Sequence, residues 1–113
     1  MTAIIWHNPK CSKSRRALSI LEDNGVEVLV HLYLEEAPSV AELKEAAELM
    51  GKKPSEFIRR GEKLYKELEL KDADEEMLFV AMAANPILIE RPIVFKDDKV
   101  VLGRPPEDII ALI

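Results

Sequence analysis

The chain has 113 residues, of which 48% are hydrophobic and 33% charged, with a formal net charge of -5, a size that suits one domain over residues 1–113 with a single core. No apolar run approaches the roughly 20 residues of a membrane helix, and an acidic chain lacks the Lys/Arg excess that phosphate-backbone binding needs. Neither a membrane nor a nucleic acid is therefore an expected partner.

Residues 2–6, "TAIIW", form a short apolar run with β-branched and aromatic members that stops at "HNP", which predicts a buried strand followed by a turn. The N-terminal stretch shows no basic region followed by a long apolar segment, so a cytoplasmic location is expected. From Ser12 to Asn24 the residues Ala17, Leu18, Ile20 and Leu21 recur at helical spacing ahead of Gly25, predicting a helix that starts at the only cysteine, Cys11. The nearly continuous apolar run over 26–34 predicts a parallel strand covered on both faces.

The middle differs. "SVAE" at 39–42 is a capping-box signature ahead of Val40, Leu43, Ala47 and Met50, with Gly51 as the stop. Pro54 opens a shorter helical segment through "SEFIRR", Gly61 interrupts it before "EKLYKEL", and Asp72 with Glu75 reads as the cap of a further helix through Met77, Leu78, Ala81 and Met82. An all-helical segment over about 39–84 is expected. After "NP" at 85 and 86, "IVF" and "VVL" flank "KDDK", predicting a hairpin turning at Asp97–Asp98. Pro105 and Pro106 with Glu107 and Asp108 open a final helix. The order βαβ, helical insertion, ββα is that of an α/β, thioredoxin-like fold carrying an all-helical insertion between its second and third strands.

The chemistry centres on "HNPKCSKSR", residues 7–15. A cysteine at a helix start lies near unpaired backbone N–H groups and the positive end of the helix dipole, which favours the thiolate, the form that attacks electrophiles. The same donors recruit oxyanions. A polar loop offers no apolar neighbours to bury an inert thiol. His7 is a candidate cation beside the thiolate or a proton relay, or else a strand-end residue bonded to backbone; His31, inside an apolar strand, reads as a satisfied core or edge histidine. One cysteine and two histidines without ligand spacing argue against a metal site. A lone cysteine cannot close an internal disulfide, so any redox cycle must take its second thiol from another molecule.

Arg91 precedes Pro92 and Arg104 precedes Pro105, while Arg59 and Arg60 end a short predicted helix. A proline entering a strand of this fold is a candidate cis peptide facing the cysteine loop, which makes Pro92 the candidate and would bring Arg91 near the sulfur. Converging guanidinium forks suit a phosphate-shaped or arsenate-shaped oxyanion.

"HNPKCSKSR", "LYLEEAP", "FIRRGEKLYKEL", "NPILIERPIV" and "GRPPEDI", in that order, resemble the glutaredoxin-dependent arsenate reductase family along essentially the whole chain, closest to its housekeeping branch. The resemblance implies that Cys11 attacks arsenate to form a thiol–arsenate adduct, that glutathione then adds as co-substrate, and that glutaredoxin reduces the adduct so that arsenite is released. It implies oxyanion binding by Arg59, Arg91 and Arg104, with Asn8 grouped beside them, and a catalytic set of Cys11, His7 and Ser14. No bound cofactor and a monomeric state are expected. Ser12-Lys13 replaces the Gly-Thr common after the family cysteine, and Arg60 stands where a lysine is common. Two other readings use the same superfamily: a redox or RNA-polymerase-binding regulator, against which Ser14 stands where a second cysteine would be, and a monothiol glutaredoxin-like module.

Overall fold

A computed structural model describes residues 2–113, and these divide into two compact units, one formed by residues 2–36 with Arg91–Ile113 and the other by Ala37–Glu90. The first unit holds β1 (Thr2–Trp6), α1 (Ser12–Asp23), β2 (Glu27–His31), β3 (Ile93–Lys96), β4 (Lys99–Leu102) and a 3-10 helix over Pro106–Leu112. Its sheet runs β2-β1-β3-β4, with β1 parallel to β2 and antiparallel to β3, and β3 antiparallel to β4. This is the mixed α/β, thioredoxin-like arrangement expected from the sequence.

The alternation of β1 decides where the core lies. Ala3 and Ile5 are fully buried and pack with Ala17, Ile20 and Leu21 of α1, with Val26 and Val94, and with Ile109 and Leu112 of the C-terminal segment. Each Val, Leu and Ile side chain among them contributes about 1.5–3 kcal/mol on burial. α1 stops where expected, at Asn24, followed by Gly25 at φ 74, a left-handed position that costs glycine nothing. The hairpin turns at Asp97 and Asp98 as the sequence indicates.

Two expectations for this unit need correction. β2 is not covered on both faces: it is an edge strand with β1 as its only strand neighbour, it is shorter than the apolar run, and Leu29 and Val30 stay 55% and 48% exposed. Hydrophobicity alone could not distinguish an edge strand from an interior one. The final segment is a 3-10 helix rather than an α-helix; three residues per turn place Pro106, Ile109 and Leu112, all buried, on one face.

The second unit contains α2 (Val40–Met50), α3 (Lys63–Glu67) and α4 (Glu75–Ala84), with 3-10 turns at Pro54–Glu56, Leu70–Asp72 and Pro86–Leu88. The capping box at Ser39 and Glu42 is formed in both directions, and Gly51 closes α2 at φ 68. The stretch is not all helical. After Glu56 the chain extends and bridges Ile58 to Ile89, with Arg59 N donating to Leu88 O at 2.7 Å and Glu90 N to Phe57 O at 2.9 Å. The cap of α4 is Asp74, whose Oδ1 accepts from Met77 N at 2.8 Å; Asp72 instead ends the preceding 3-10 turn. Two aspartates at this spacing both satisfy a capping pattern, and only the chain path chooses between them.

Asp74→Ala is expected to cost about 1 kcal/mol in urea unfolding, the usual worth of an N-cap, while Asp72→Ala should stay within about 0.5 kcal/mol of the parent.

Candidate active site

The loop between β1 and α1 is built by its own short-range hydrogen bonds. Asn8 Oδ1 accepts from Lys10 N at 3.0 Å, Asn8 O accepts from Cys11 N at 3.0 Å, and Arg15 Nη1 donates to Pro9 O at 2.8 Å. These bonds fold residues 8–11 into a turn that leaves Cys11, in extended conformation, as the residue preceding the first turn of α1. Cys11 is partly buried and free.

Beneath the loop lies a buried pair. His7 is 6% exposed and Ser14 fully buried, and His7 Nδ1 meets Ser14 Oγ at 2.6 Å. Asn8 N donates to the same oxygen at 3.0 Å. Ser14 Oγ thus bonds both His7 Nδ1 and Asn8 N, and its two lone pairs and one hydrogen suffice for both. Burial, and then the positive charge of Arg15, lower the His7 pKa below its ordinary value. Both effects disfavour the charged imidazolium form of His7. What it does is clamp the strand end to the first turn of α1.

Burial pushes the Cys11 thiol up, but four stabilising effects outweigh it and carry the pKa below its ordinary value: the Ser14 backbone N–H, a hydrogen bond from the Arg91 side chain, the Lys13 backbone N–H and the Arg91 charge. The first turn of α1 and one distant arginine, not the local run of lysines and arginines, thus favour the thiolate. Arg91 comes to the sulfur from the segment entering β3, through a cis Arg91–Pro92 peptide; the Arg104–Pro105 peptide is also cis. Arg104 Nη1 donates to Arg91 O at 3.2 Å. Buried Arg91 Nε has no hydrogen-bond partner, although nearly all buried polar groups have one. A nucleophile and an unsatisfied cationic donor therefore stand together.

The sequence from residue 6 to residue 112 matches the family model described as the ArsC family. The chain belongs to the ArsC family. The arsenate reductase of Haemophilus influenzae is 41% identical over 116 residues, with all of both chains covered. The uncharacterized protein YfgD of Escherichia coli is 46% identical over 112 residues, covering 96% of this chain and 94% of its own. The solved arsenate reductase from Vibrio cholerae superposes with a TM-score of 0.96 at 45% identity, covering 100% of this chain and 98% of its own.

Within this ArsC family chain, the candidate arginines Arg59 and Arg60 lie in the second unit and differ in kind. Arg59 is held by two carboxylates, Glu62 through Nη1 and Glu90 through Nε at 3.5 Å, whereas exposed Arg60 donates through Nη2 to Ser55 O at 3.0 Å. Arg59 is thus the oriented guanidinium of the pair. The sequence reading missed its partners Glu62 and Glu90, as well as the loop latch Arg15. Arg15 had a signal available, its place one turn after Cys11; Glu90 had none, because its pairing crosses some thirty residues of chain. Asn8 spends its amide oxygen and two main-chain groups on the turn, so its demonstrated contacts are with the loop itself. His31 sits on the edge strand, with Nε2 2.7 Å from Glu36 O. No group of three or more His, Cys, Asp or Glu side chains able to hold a metal occurs among the described residues.

Gly103 constrains the chain beside Pro92: a Cβ there would lie 2.8 Å from Pro92 Cγ and 3.3 Å from Ile109 Cγ2. Gly103→Ala should destabilise the fold by about 1–3 kcal/mol in chemical denaturation. Arg91→Ala removes two of the effects that lower the thiol pKa, so the midpoint of Cys11 alkylation against pH should move upward. Lys10→Ala, by contrast, should leave that midpoint in place.

Proposed function

We propose that the chain reduces arsenate to arsenite through a Cys11 thiolate–arsenate adduct, with glutathione as co-substrate and glutaredoxin as the final reductant. The observation that carries this reading is Arg91. Its guanidinium stabilises the thiolate while its buried Nε–H has no partner, an arrangement that suits an incoming oxyanion bonded to the same arginine. The names of the similar arsenate reductases supply the oxyanion's identity.

In the first step the Cys11 sulfur gives an electron pair to arsenic(V). An S–As bond forms, an As–O bond breaks, and the oxygen takes up two protons and leaves as water. The thiol of glutathione then displaces a second oxygen, again as water. A glutaredoxin thiolate next attacks the glutathione sulfur; the electrons of that S–As bond remain on arsenic, which becomes arsenic(III), and a glutaredoxin–glutathione mixed disulfide is the oxidised product. Hydrolysis of the Cys11–As bond releases arsenite and regenerates the thiol. The single cysteine requires this division of labour, since the chain has no second thiol to resolve the adduct.

Arg91 binds the developing charge as a charge-assisted donor, and Arg104 orients it through its main-chain carbonyl. His7 and Ser14 act as positioning residues that fix the loop. Assignment of the oxyanion to Arg59 rests on the family motif. The regulator reading draws no support from this site, because the position where a second thiol would make a switch is a buried serine bonded to His7.

Arsenate-dependent NADPH consumption, coupled through glutathione reductase, glutathione and glutaredoxin, is expected for the unsubstituted protein and absent in Cys11→Ser. Loss of one charge-assisted bond in Arg91→Ala should lower kcat/KM about 10- to 100-fold. An unsubstituted protein with no turnover would refute the arsenate assignment.

A further inference from the structure

The two parallel strands end side by side, and the chain leaving them encloses a hollow that the oxyanion chemistry does not use. His7 N donates to His31 O at 2.9 Å beside the last rung of the ladder, where Trp6 stands opposite His31. From there β1 runs into the loop of residues 7–10 and β2 into residues 32–36. The second loop is turned by Glu35 N and Glu36 N donating to Leu32 O at 2.9 and 3.0 Å, with His31 Nε2 lying 2.7 Å from Glu36 O. The two loops line a hollow of about 260 Å³. The crevice beyond the carboxyl ends of parallel strands is where open α/β sheets hold their ligands.

Its lining combines apolar wall with unspent polar groups. Pro9, Leu32 and Leu34 supply the wall, and two opposite charges stand with them: Lys10 and Glu35, both exposed and neither in an ion pair with any described residue. His7 also lines the hollow and is 6% exposed; with Nδ1 bonded to Ser14, its Nε2 has no partner among the described residues. Asn8 commits its Oδ1 to Lys10 N, while its amide nitrogen has no partner there either. Polar atoms of buried side chains are nearly always bonded, and convergent polar groups in an apolar hollow are the mark of a small-molecule site. A simple anion would gain Lys10 but be repelled by Glu35, and a simple cation the reverse. A ligand with carboxylate and ammonium at separate points satisfies both.

We propose that this hollow binds glutathione, the zwitterionic peptide thiol, with a carboxylate at Lys10, the ammonium at Glu35 and peptide groups at His7 Nε2 and Asn8 Nδ2. The assignment rests on the reduction proposed above, which consumes that thiol. Either tautomer of His7 suits a peptide, which offers both N–H and C=O. Placement agrees: Lys10 adjoins Cys11, and Cys11 N donates to Asn8 O at 3.0 Å, so one wall of the hollow is the loop that presents the nucleophile. Each residue of an extended peptide spans about 3.3–3.6 Å, a reach that carries the central thiol of a tripeptide anchored at Lys10 toward an arsenic atom on the neighbouring Cys11.

S-Methylglutathione, which has no thiol to react, is titrated into the full chain and followed by backbone amide NMR, a readout independent of arsenate turnover. Saturable shifts are expected at Lys10, Leu32, Leu34 and Glu35, and the dimethyl ester of the same probe, lacking both carboxylates, should bind at least about tenfold more weakly. Lys10→Glu and Glu35→Lys should each weaken probe binding about tenfold and raise the KM for glutathione by a similar factor, with the KM for arsenate moving less than about twofold; circular dichroism checks that both variants remain folded. A probe that shifts no residue of the hollow overturns the site, as does an ester that binds as well as the diacid, or probe binding indifferent to both charge reversals. Saturable, charge-dependent binding in a protein without arsenate turnover would uphold the site and refute the reduction alone.

Discussion

The hydrogen bond between His7 Nδ1 and Ser14 Oγ ties the last turn of chain after β1 to the first turn of α1. Both partners are buried, so either one alone would leave a polar group without water or partner, at a cost of about 1–3 kcal/mol. Because the same serine oxygen also takes Asn8 N–H, one hydroxyl fixes the two ends of the loop that presents Cys11. The nucleophile is thereby held at the start of the helix, where backbone N–H groups favour its thiolate. Everything chemical in the first unit depends on that placement.

The second requirement is a cation at the sulfur, and it is met from far along the chain. β3 lies beside β1, so the segment entering β3 arrives next to the segment leaving β1, and Arg91 is the residue at that junction. Central position in the sheet makes this meeting possible: β1 has a parallel neighbour on one side and an antiparallel one on the other. The local cations do other work. Arg15 latches Pro9 and its charge helps lower the His7 pKa, so the loop's apparent basicity is largely structural.

Several features were legible because each has a local cause. Strand and helix periodicities, the capping box at Ser39 and Glu42, and the glycines at 25 and 51 are written within a few residues of where they act. The place of Cys11 at a helix start follows from the same short-range pattern. Other features were not legible. The apolar run of β2 looks the same whether a strand has one neighbour or two, and Asp72 and Asp74 compete for one cap. The path of residues 57–60 is decided by pairing with residues 88–90, a contact that no local spacing announces.

The sequence by itself determined that a single thiol begins a helix after a buried strand, that the fold is of the thioredoxin-like α/β kind, and that no second cysteine is present to complete a redox cycle. These depend on neighbours in the chain and on side-chain periodicity. Only the tertiary structure decided that the lowered thiol pKa comes from backbone N–H groups and Arg91 rather than from the adjacent lysines, that His7 is buried against Ser14, and that β2 is an open edge. Each of these turns on burial and on distances between segments remote in sequence, and such distances exist only once the sheet has chosen its order.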